Sequence, residues 1–177
     1  MDFDRVLRNV ADFLEREGVA YALAGGLALQ AHGMSRATFD VDLVLVASEQ
    51  GKLVAFVESL GYATLHRSPG FSNHVHQDTA LGRLDFIYVD AETGRKLLAP
   101  TGVEWKLSNG KSIQVPRPEH LIAMKVHAAK NDPQRLYKEL ADIQFLLGLP
   151  GVDTGAAAKY FREAGMEDKL DELKRLR

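Results

Sequence analysis

Three aspartates stand where their carboxylates could share a divalent cation. Asp40 and Asp42 open one apolar run, and Asp85 lies inside another, at residues 83–87. Side chains on a β-strand alternate between faces, so Asp40 and Asp42 point the same way, roughly 7 Å apart along the strand. Two carboxylates held this close repel each other unless a cation lies between them. Magnesium is the natural candidate because it prefers oxygen ligands, particularly carboxylates and substrate phosphates.

Asp85 would join the same site if its strand were adjacent to the strand that carries Asp40 and Asp42. Adjacent strands lie about 4.8 Å apart, which would bring Asp85 within about 5 Å of the pair. Three acids can hold one or two metal ions, and a two-metal site activates an attacking oxygen and stabilises the leaving one. The alternative is that the acids only solvate the ends of strands. Aspartate is a poor strand former, so three of them inside apolar runs favour the functional interpretation.

A glycine pair precedes the acids. Gly25 and Gly26 join a predicted strand to a predicted helix, where glycine lets backbone amides approach a ligand and the helix start favours phosphate. Taken by itself, the glycine pair could simply form a tight turn that needs positive φ. Gly-Gly followed after thirteen residues by Asp-x-Asp is a far more specific signal of a functional site. Arg36, in the intervening loop, either neutralises a triphosphate or pairs with Asp40.

Two further charged residues in the C-terminal third are candidates. Lys125 falls in the middle of the apolar stripe of its helix, where lysine rarely lies without a partner. It either extends along the core to solvent or reaches a nucleotide phosphate or the acid cluster. Asp142 borders the apolar face of the next helix and could equally be a surface residue that pairs with Lys138 at i,i+4.

The predicted elements place these residues in a mixed α/β part, residues 1–116, followed by a helical region, residues 117–177, packed on it. Helices are predicted over 3–17, 27–32, from an N-cap at Ser48 to Leu60, over 118–130 and 134–147, and from Thr154 onwards. Strands are predicted over 19–24, 39–46, 72–78 and 83–89, with a hairpin of 103–107 and 112–115 around Asn109-Gly110.

Composition narrows the classes of function. The chain has 177 residues, 46% of them hydrophobic, which suits a globular domain with a small helical addition. A net charge of −2 argues weakly against a dedicated nucleic-acid binder, and the lack of cysteine excludes thiolate chemistry. With neither a secretion signal nor an apolar run long enough to span a membrane, a cytoplasmic enzyme is expected.

The motifs resemble a known superfamily. Ala24-Gly25-Gly26 followed by Asp40-Val41-Asp42-Leu43 matches the signature of the polymerase-beta-like nucleotidyltransferases, and the resemblance runs from about Tyr21 to about Leu147. Residues 36–42 further resemble the branch that holds the nucleotidyltransferase toxins of type IV toxin–antitoxin, or abortive-infection, systems. The resemblance implies an α/β (α+β) fold, a mixed sheet flanked by helices.

The resemblance also implies a site. Magnesium would be held by Asp40, Asp42 and Asp85, and the phosphates of an NTP would lie at Gly25 and Gly26. A lysine and an acid that belong to the site in this branch match Lys125 and Asp142. The Lys-Asp step that precedes the acid in the branch reads Lys138-Glu139 here, which is a departure from the pattern.

The reaction implied is transfer of a nucleoside monophosphate from an NTP to an acceptor hydroxyl, with release of pyrophosphate. One hypothesis is a toxin that acts on RNA or protein, with an antitoxin protein as its partner; the lack of a basic patch leans slightly against a large RNA. A second is transfer to a small hydroxylated molecule, as in antibiotic-modifying relatives. A third is a non-catalytic nucleotide- or partner-binding domain, which the presence of all three acids disfavours.

His74, His76 and Asp78 alternate along a predicted strand and would project from one face. A dedicated zinc site is one interpretation, although histidines two residues apart on a strand are common without metal. If Asp78 lay opposite Asp85 in the sheet, these side chains would line the same cleft, on the acceptor side.

Overall fold

A computed structural model describes residues 1–175 of the protein. The helices are α1 (Phe3–Arg16), α2 (Gly25–Ala31), α3 (Gln50–Ser59), α4 (Ala91–Leu97), α5 (Pro118–Asn131), α6 (Leu136–Leu147), α7 (Thr154–Ala164) and α8 (Glu167–Arg175). The strands are β1 (Tyr21–Leu23), β2 (Asp40–Val46), β3 (Ala63–Arg67), β4 (Phe71–Val75), β5 (Arg83–Val89), β6 (Glu104–Lys106) and β7 (Ser112–Gln114). The chain divides into two compact units, Met1–Pro116 and the part from Arg117 onwards.

The first unit is built on a five-stranded sheet in the order β1-β2-β5-β4-β3, beside a separate β6-β7 hairpin. β2 and β5 run parallel at the centre of the sheet, whereas the other three pairings in it are antiparallel. A mixed sheet with flanking helices confirms the predicted fold class.

β2 holds the acids on a rigid element because most of its side chains are buried. Val41, Leu43, Val44 and Leu45 are fully buried, and removing each from water contributes about 1.5–3 kcal/mol. The two aspartates stand at the start of the strand and are only half-buried. The apolar core therefore fixes the backbone that presents the two carboxylates.

The second unit is helical. Pro118 opens α5, a position where the missing N–H of proline is tolerated, and α5 packs against α6 and α7. The Asp153 side chain accepts a hydrogen bond from the backbone N–H of Ala156 and so caps the start of α7. The packing of this unit on the first stays a prediction.

Several local predictions need correction. The sequence pattern does not predict β3, an edge strand whose side chains are mostly exposed, or α4, whose Gly94 lies buried against Val46. Ser48 is not an N-cap: it lies in a 3-10 turn, Ala47–Glu49, and its hydroxyl donates to the Glu49 carboxylate. The predicted strand 72–78 ends at Val75, because the chain turns back towards β5 after that residue.

Candidate active site

The parallel pairing of β2 and β5 brings the three acids together. Asp42 and Asp85 are direct partners in the register, and Asp40 is the partner of Arg83. One carboxylate oxygen of each aspartate lies within 4.8 Å of those of the other two. The sequence placed Asp40 and Asp42 on one face, and the register adds the third acid from a residue more than forty positions away.

Gly25 lies directly against the Asp42 carboxylate. A Cβ atom built on Gly25 would lie 1.8 Å from Asp42 Oδ2, and the residue has a φ of +57°. The backbone N–H of Ala24 donates to the carbonyl of Asp42 at 2.8 Å, which fixes the turn beside the acid. The positive φ agrees with the tight-turn interpretation at Gly25, and the missing side chain also leaves room for the Asp42 carboxylate. The approach of a phosphate to the backbone amides of the glycine pair stays a prediction.

Thr38 connects the glycine turn to the acids. Its hydroxyl donates to Asp40 Oδ1 at 2.6 Å, and a Cβ on Gly26 would lie 2.5 Å from Thr38 Oγ1. Gly26 is thus small because the Thr38 side chain occupies the space where a larger residue would project. Sequence reasoning missed Thr38, although a hydroxyl two residues before an acid is a common local hydrogen-bonding pattern.

Arg83 is a cation that pairs with the acid cluster. Its Nε donates to both oxygens of Asp85, at 2.9 and 3.1 Å, and it is the register partner of Asp40. The hydrogen bond to Asp85 and the negative charge of the three aspartates raise the pKa of the Arg83 guanidinium, so it stays protonated. Sequence reasoning missed this role, although the Arg-x-Asp spacing in a strand places both side chains on one face.

Arg36 lies in the loop that leads from α2 to β2 and is half-buried. Its backbone carbonyl accepts a hydrogen bond from Gln30 Nε2 at 2.8 Å, which ties the loop to α2. Its Nε lies 3.5 Å from the carbonyl oxygen of Ala37. The role of its guanidinium towards a triphosphate stays a prediction.

The donor set of the cluster fits a hard divalent cation. Three carboxylates converge on one point, and carboxylate oxygens are the ligands that magnesium takes together with substrate phosphates. Among residues 1–175, no other group of three or more acids or histidines converges in this way. The arrangement can therefore bind metal and, through the metal, a polyphosphate.

Lys125 and Asp142, both in the second unit, contact each other. Lys125 Nζ donates to Asp142 Oδ2 at 2.5 Å and to Glu139 Oε2 at 2.8 Å. Arg135 Nη2 lies 2.6 Å from the other oxygen of Glu139. The surface pairing of Asp142 with Lys138 is wrong, because Asp142 is buried whereas Lys138 is exposed.

This ionic cluster gives a structural role to Glu139, the residue at which the sequence departs from the pattern of the resembled branch. Glu139 is 1% exposed, and sequence reasoning left its role open. Its position in α6, three residues before Asp142, puts both carboxylates on one helix face towards Lys125. A buried lysine of α5 with two carboxylates of α6 is a satisfied arrangement, whereas any one of these charges alone would be costly.

The zinc interpretation of His74, His76 and Asp78 is not supported by the geometry. His74 is fully buried between the hydroxyls of Thr64 and Ser72, at 3.0 and 2.8 Å, and burial lowers the pKa of its imidazole. His76 Nδ1 accepts a hydrogen bond from the backbone of Asp78 in the loop after β4. The register partner of Asp85 on β4 is Asn73, not Asp78, because β4 ends before Asp78 is reached.

No protein-family profile matches the sequence, and no curated protein does. Solved structures share the fold. The antibiotic-resistance factor ANT(2'')-Ia in complex with adenylyl-2''-tobramycin has a TM-score of 0.61 at 15% identity, over 99% of this chain and 98% of that one. The lincomycin-bound lincosamide antibiotic adenylyltransferase LnuA has a TM-score of 0.55 at 19% identity, over 81% of this chain and 96% of that one.

An antigenic nucleotidyltransferase-like protein from Paracoccidioides brasiliensis is also similar, with a TM-score of 0.54 at 16% identity, over 98% of this chain and 92% of that one. Identities this low establish a common fold and nothing finer. The fold is that of nucleotidyltransferases, which agrees with the superfamily that the Gly-Gly and Asp-x-Asp motifs resemble.

Proposed function

We propose that this protein is a magnesium-dependent nucleotidyltransferase that moves a nucleoside monophosphate from an NTP to an acceptor hydroxyl. The observation that carries the proposal is the convergence of Asp40, Asp42 and Asp85 beside Gly25, within 4.8 Å of one another. A non-catalytic domain would gain nothing from holding three carboxylates in one place, since like charges repel each other.

Each residue of the site has its own role in the proposed reaction. Asp40 and Asp42 would hold the metal, and the backbone at Gly25 and Gly26 would receive the phosphates, with Arg36 neutralising part of their charge. Bound magnesium supplies Lewis acidity and charge neutralisation at the transferring phosphoryl group. The acceptor oxygen attacks the α-phosphorus, the bond to the β-phosphate oxygen breaks, and pyrophosphate leaves. Asp85, a further ligand of the metal site, accepts the hydroxyl proton.

The acceptor that the comparisons favour is a small hydroxylated molecule. The two structures with the highest TM-scores given above are of antibiotic-modifying proteins, and this chain matches nearly the full length of both. The toxin activity on RNA or protein, and the antitoxin partner, stay predictions that rest on the resemblance of residues 36–42 alone. The place of Lys125 and Asp142 in substrate binding likewise stays a prediction.

Calorimetric titration of ATP, GTP, CTP and UTP, each with and without magnesium, tests the proposal. We expect at least one NTP to bind in a magnesium-dependent way, and Asp42→Asn to lose that binding while it unfolds at a temperature close to that of the wild type. Asp168→Asn, the same change at an exposed acid of α8, is the matched control and should bind normally. Absence of magnesium-dependent binding in the wild type would contradict the proposal.

A further inference from the structure

A row of four side chains crosses the sheet on the face that carries the acids. Asp42 of β2 pairs with Asp85 of β5, Asp85 pairs with Asn73 of β4, and Asn73 pairs with His66 of β3. Residues that are direct partners in adjacent strands project from the same face, about 5 Å apart. Gly25, beside Asp42, continues the row at its other end.

The Asn73 side chain is available for a ligand. It is half-buried, and among residues 1–175 its amide forms no hydrogen bond with any side chain or backbone group. Its neighbours in β4, Ser72 and His74, face the opposite side and are joined to each other at 2.8 Å. Asn73 therefore offers two donors and an acceptor about 5 Å from Asp85, on the side away from Asp42.

An aromatic surface lies next to Asn73. Phe71, two residues earlier on the same strand face, stacks on the His66 ring with centroids 4.6 Å apart and planes inclined by 17°. Phe71 is 43% exposed, and its register partner on β5 is Ile87, two residues after Asp85. An exposed ring pair beside one amide is the combination that binding sites for small organic molecules use: apolar area for affinity and a polar group for orientation.

The direction of phosphoryl transfer assigns this surface to the acceptor. The attacking and leaving oxygens lie roughly in line, on opposite sides of the phosphorus. With the triphosphate at Gly25 and Gly26, beyond Asp42, the acceptor must approach from the far side of Asp85, which is where Asn73 lies.

Resting on the proposed function, we infer that Asn73 and the stacked rings of Phe71 and His66 form the acceptor subsite. The ligand class is a small molecule whose hydroxyl-bearing ring covers Phe71 and hydrogen-bonds to Asn73. Its reactive hydroxyl then points at Asp85. The site needs no charge on the acceptor, since none of its three members is a permanently charged side chain.

The test uses the full chain with magnesium and the NTP that binds best. Lincomycin, tobramycin and a short RNA with a free 3′ hydroxyl serve as acceptor probes, and nucleotidylated product is detected by mass spectrometry. We expect one of the two antibiotics to be modified. Asn73→Ala should raise the KM for that acceptor by about three- to tenfold, the worth of one hydrogen bond, with the Kd for the NTP unchanged.

Two further variants make the test specific. Phe71→Leu keeps apolar bulk in the strand but removes the ring, and we expect a similar rise in KM. Asn9→Ala, the same truncation at an exposed asparagine of α1, should leave the KM unchanged.

The outcomes separate this inference from the proposed function. Modification of the RNA alone, modification of none of the probes, or an unchanged KM in Asn73→Ala would overturn the acceptor subsite while magnesium-dependent NTP binding still stands. Absence of NTP binding would overturn both.

Discussion

At the level of single residues, the site depends on Gly25 and Asp42, which leave no room between them for a methyl group. The contact explains why the first residue of α2 must be glycine even if its backbone strain were relieved. A Cβ at this position would overlap the Asp42 carboxylate and would also lie 2.9 Å from Asp42 Cβ, which the strand backbone holds in place. A substitution should therefore displace the carboxylate in addition to any effect on folding.

Comparison of Gly25→Ala with Gly18→Ala is expected to separate the effect on folding from the effect on the placement of the Asp42 carboxylate. Both glycines have positive φ, +57° and +68°, so each substitution should lower the free energy of unfolding by about 1–2 kcal/mol. Only Gly25 faces Asp42, since a Cβ on Gly18 would meet nothing within 4 Å. Urea unfolding and NTP titration with magnesium measure the two quantities. Normal nucleotide binding by Gly25→Ala would contradict the assigned contact.

Arg83→Met is expected to change how strongly metal stabilises the protein. Without metal, Arg83 pairs with Asp85, and loss of its charge should lower the free energy of unfolding by less than about 1 kcal/mol, because the pair is partly exposed. With magnesium the variant should recover, since metal that binds only the folded state stabilises it. Thermal melts in EDTA and in magnesium should show a larger gain for the variant than for Arg95→Met, an exposed control on α4. If magnesium raised the melting temperature of both variants equally, the assignment of Arg83 to the acid cluster would be wrong.

At the level of elements, the ionic cluster of Lys125, Glu139 and Asp142 joins α5 to α6. Buried charges that are paired and hydrogen-bonded contribute little net stability, but removal of one member leaves the others uncompensated. The cluster therefore specifies how the two helices are placed against each other. This structural role accounts for a lysine in an apolar stripe without any nucleotide.

Lys125→Met is expected to lower the free energy of unfolding by about 3 kcal/mol, the lower end for a broken buried pair, because Arg135 still faces Glu139. Lys130→Met, at an exposed position of the same helix, should change stability by less than about 0.5 kcal/mol. Urea unfolding of both variants measures the difference. Equal stability of the two would show that the cluster does not hold α5 and α6 together.

The same variant also tests the predicted role of Lys125 in the site. If the lysine reaches a phosphate, folded Lys125→Met should bind the NTP more weakly than Lys130→Met in calorimetric titration. Equal affinities would restrict Lys125 to its contacts with α6.

At the level of the whole molecule, each compact unit contains one histidine whose charging opposes folding. Burial lowers the pKa of His74 in the first unit and of His120 in the second. His74 is fully buried, and the buried Nδ1 of His120 has no hydrogen-bond partner within the described part of the chain.

None of the described helices has the combination of length and apolar character that a membrane span requires.

Stability should therefore fall as the pH is lowered through the histidine range. Both imidazoles have folded-state pKa values below the ordinary 6.5. At a pH between the folded-state pKa and 6.5, the unfolded chain therefore binds more protons than the folded protein. The stabilisation is fully present above about pH 6.5 and is lost as the pH falls towards the folded-state pKa, by up to about 1.4 kcal/mol per pH unit for each histidine.

Urea unfolding at pH 7.5, 6.5, 6.0 and 5.5 measures this dependence. His120→Gln should flatten the profile by removing one contribution, whereas His127→Gln, at an exposed position of α5, should follow the wild type. A profile of His120→Gln with the wild-type slope would contradict the assignment for that residue.

Local patterns were sufficient for the elements with strong periodicity or specific turn residues. The apolar run of β2, the Asn109-Gly110 hairpin and the proline-led helix α5 are all present in the structure. They are predictable because neighbouring residues alone decide their conformation. β3 and α4 were missed since an exposed edge strand shows no alternation of apolar residues, and a glycine within a helix lowers its propensity.

The sequence by itself determined the class of the site: a glycine pair, two acids on one strand face and a third in another apolar run. Only the tertiary structure decided which residues meet there. The register between β2 and β5 sets Asp42 opposite Asp85 and adds Arg83, and the register of β4 puts Asn73 where Asp78 was considered. Register is decided by how whole strands bury their apolar faces, so residues distant in sequence share a site that no local pattern specifies.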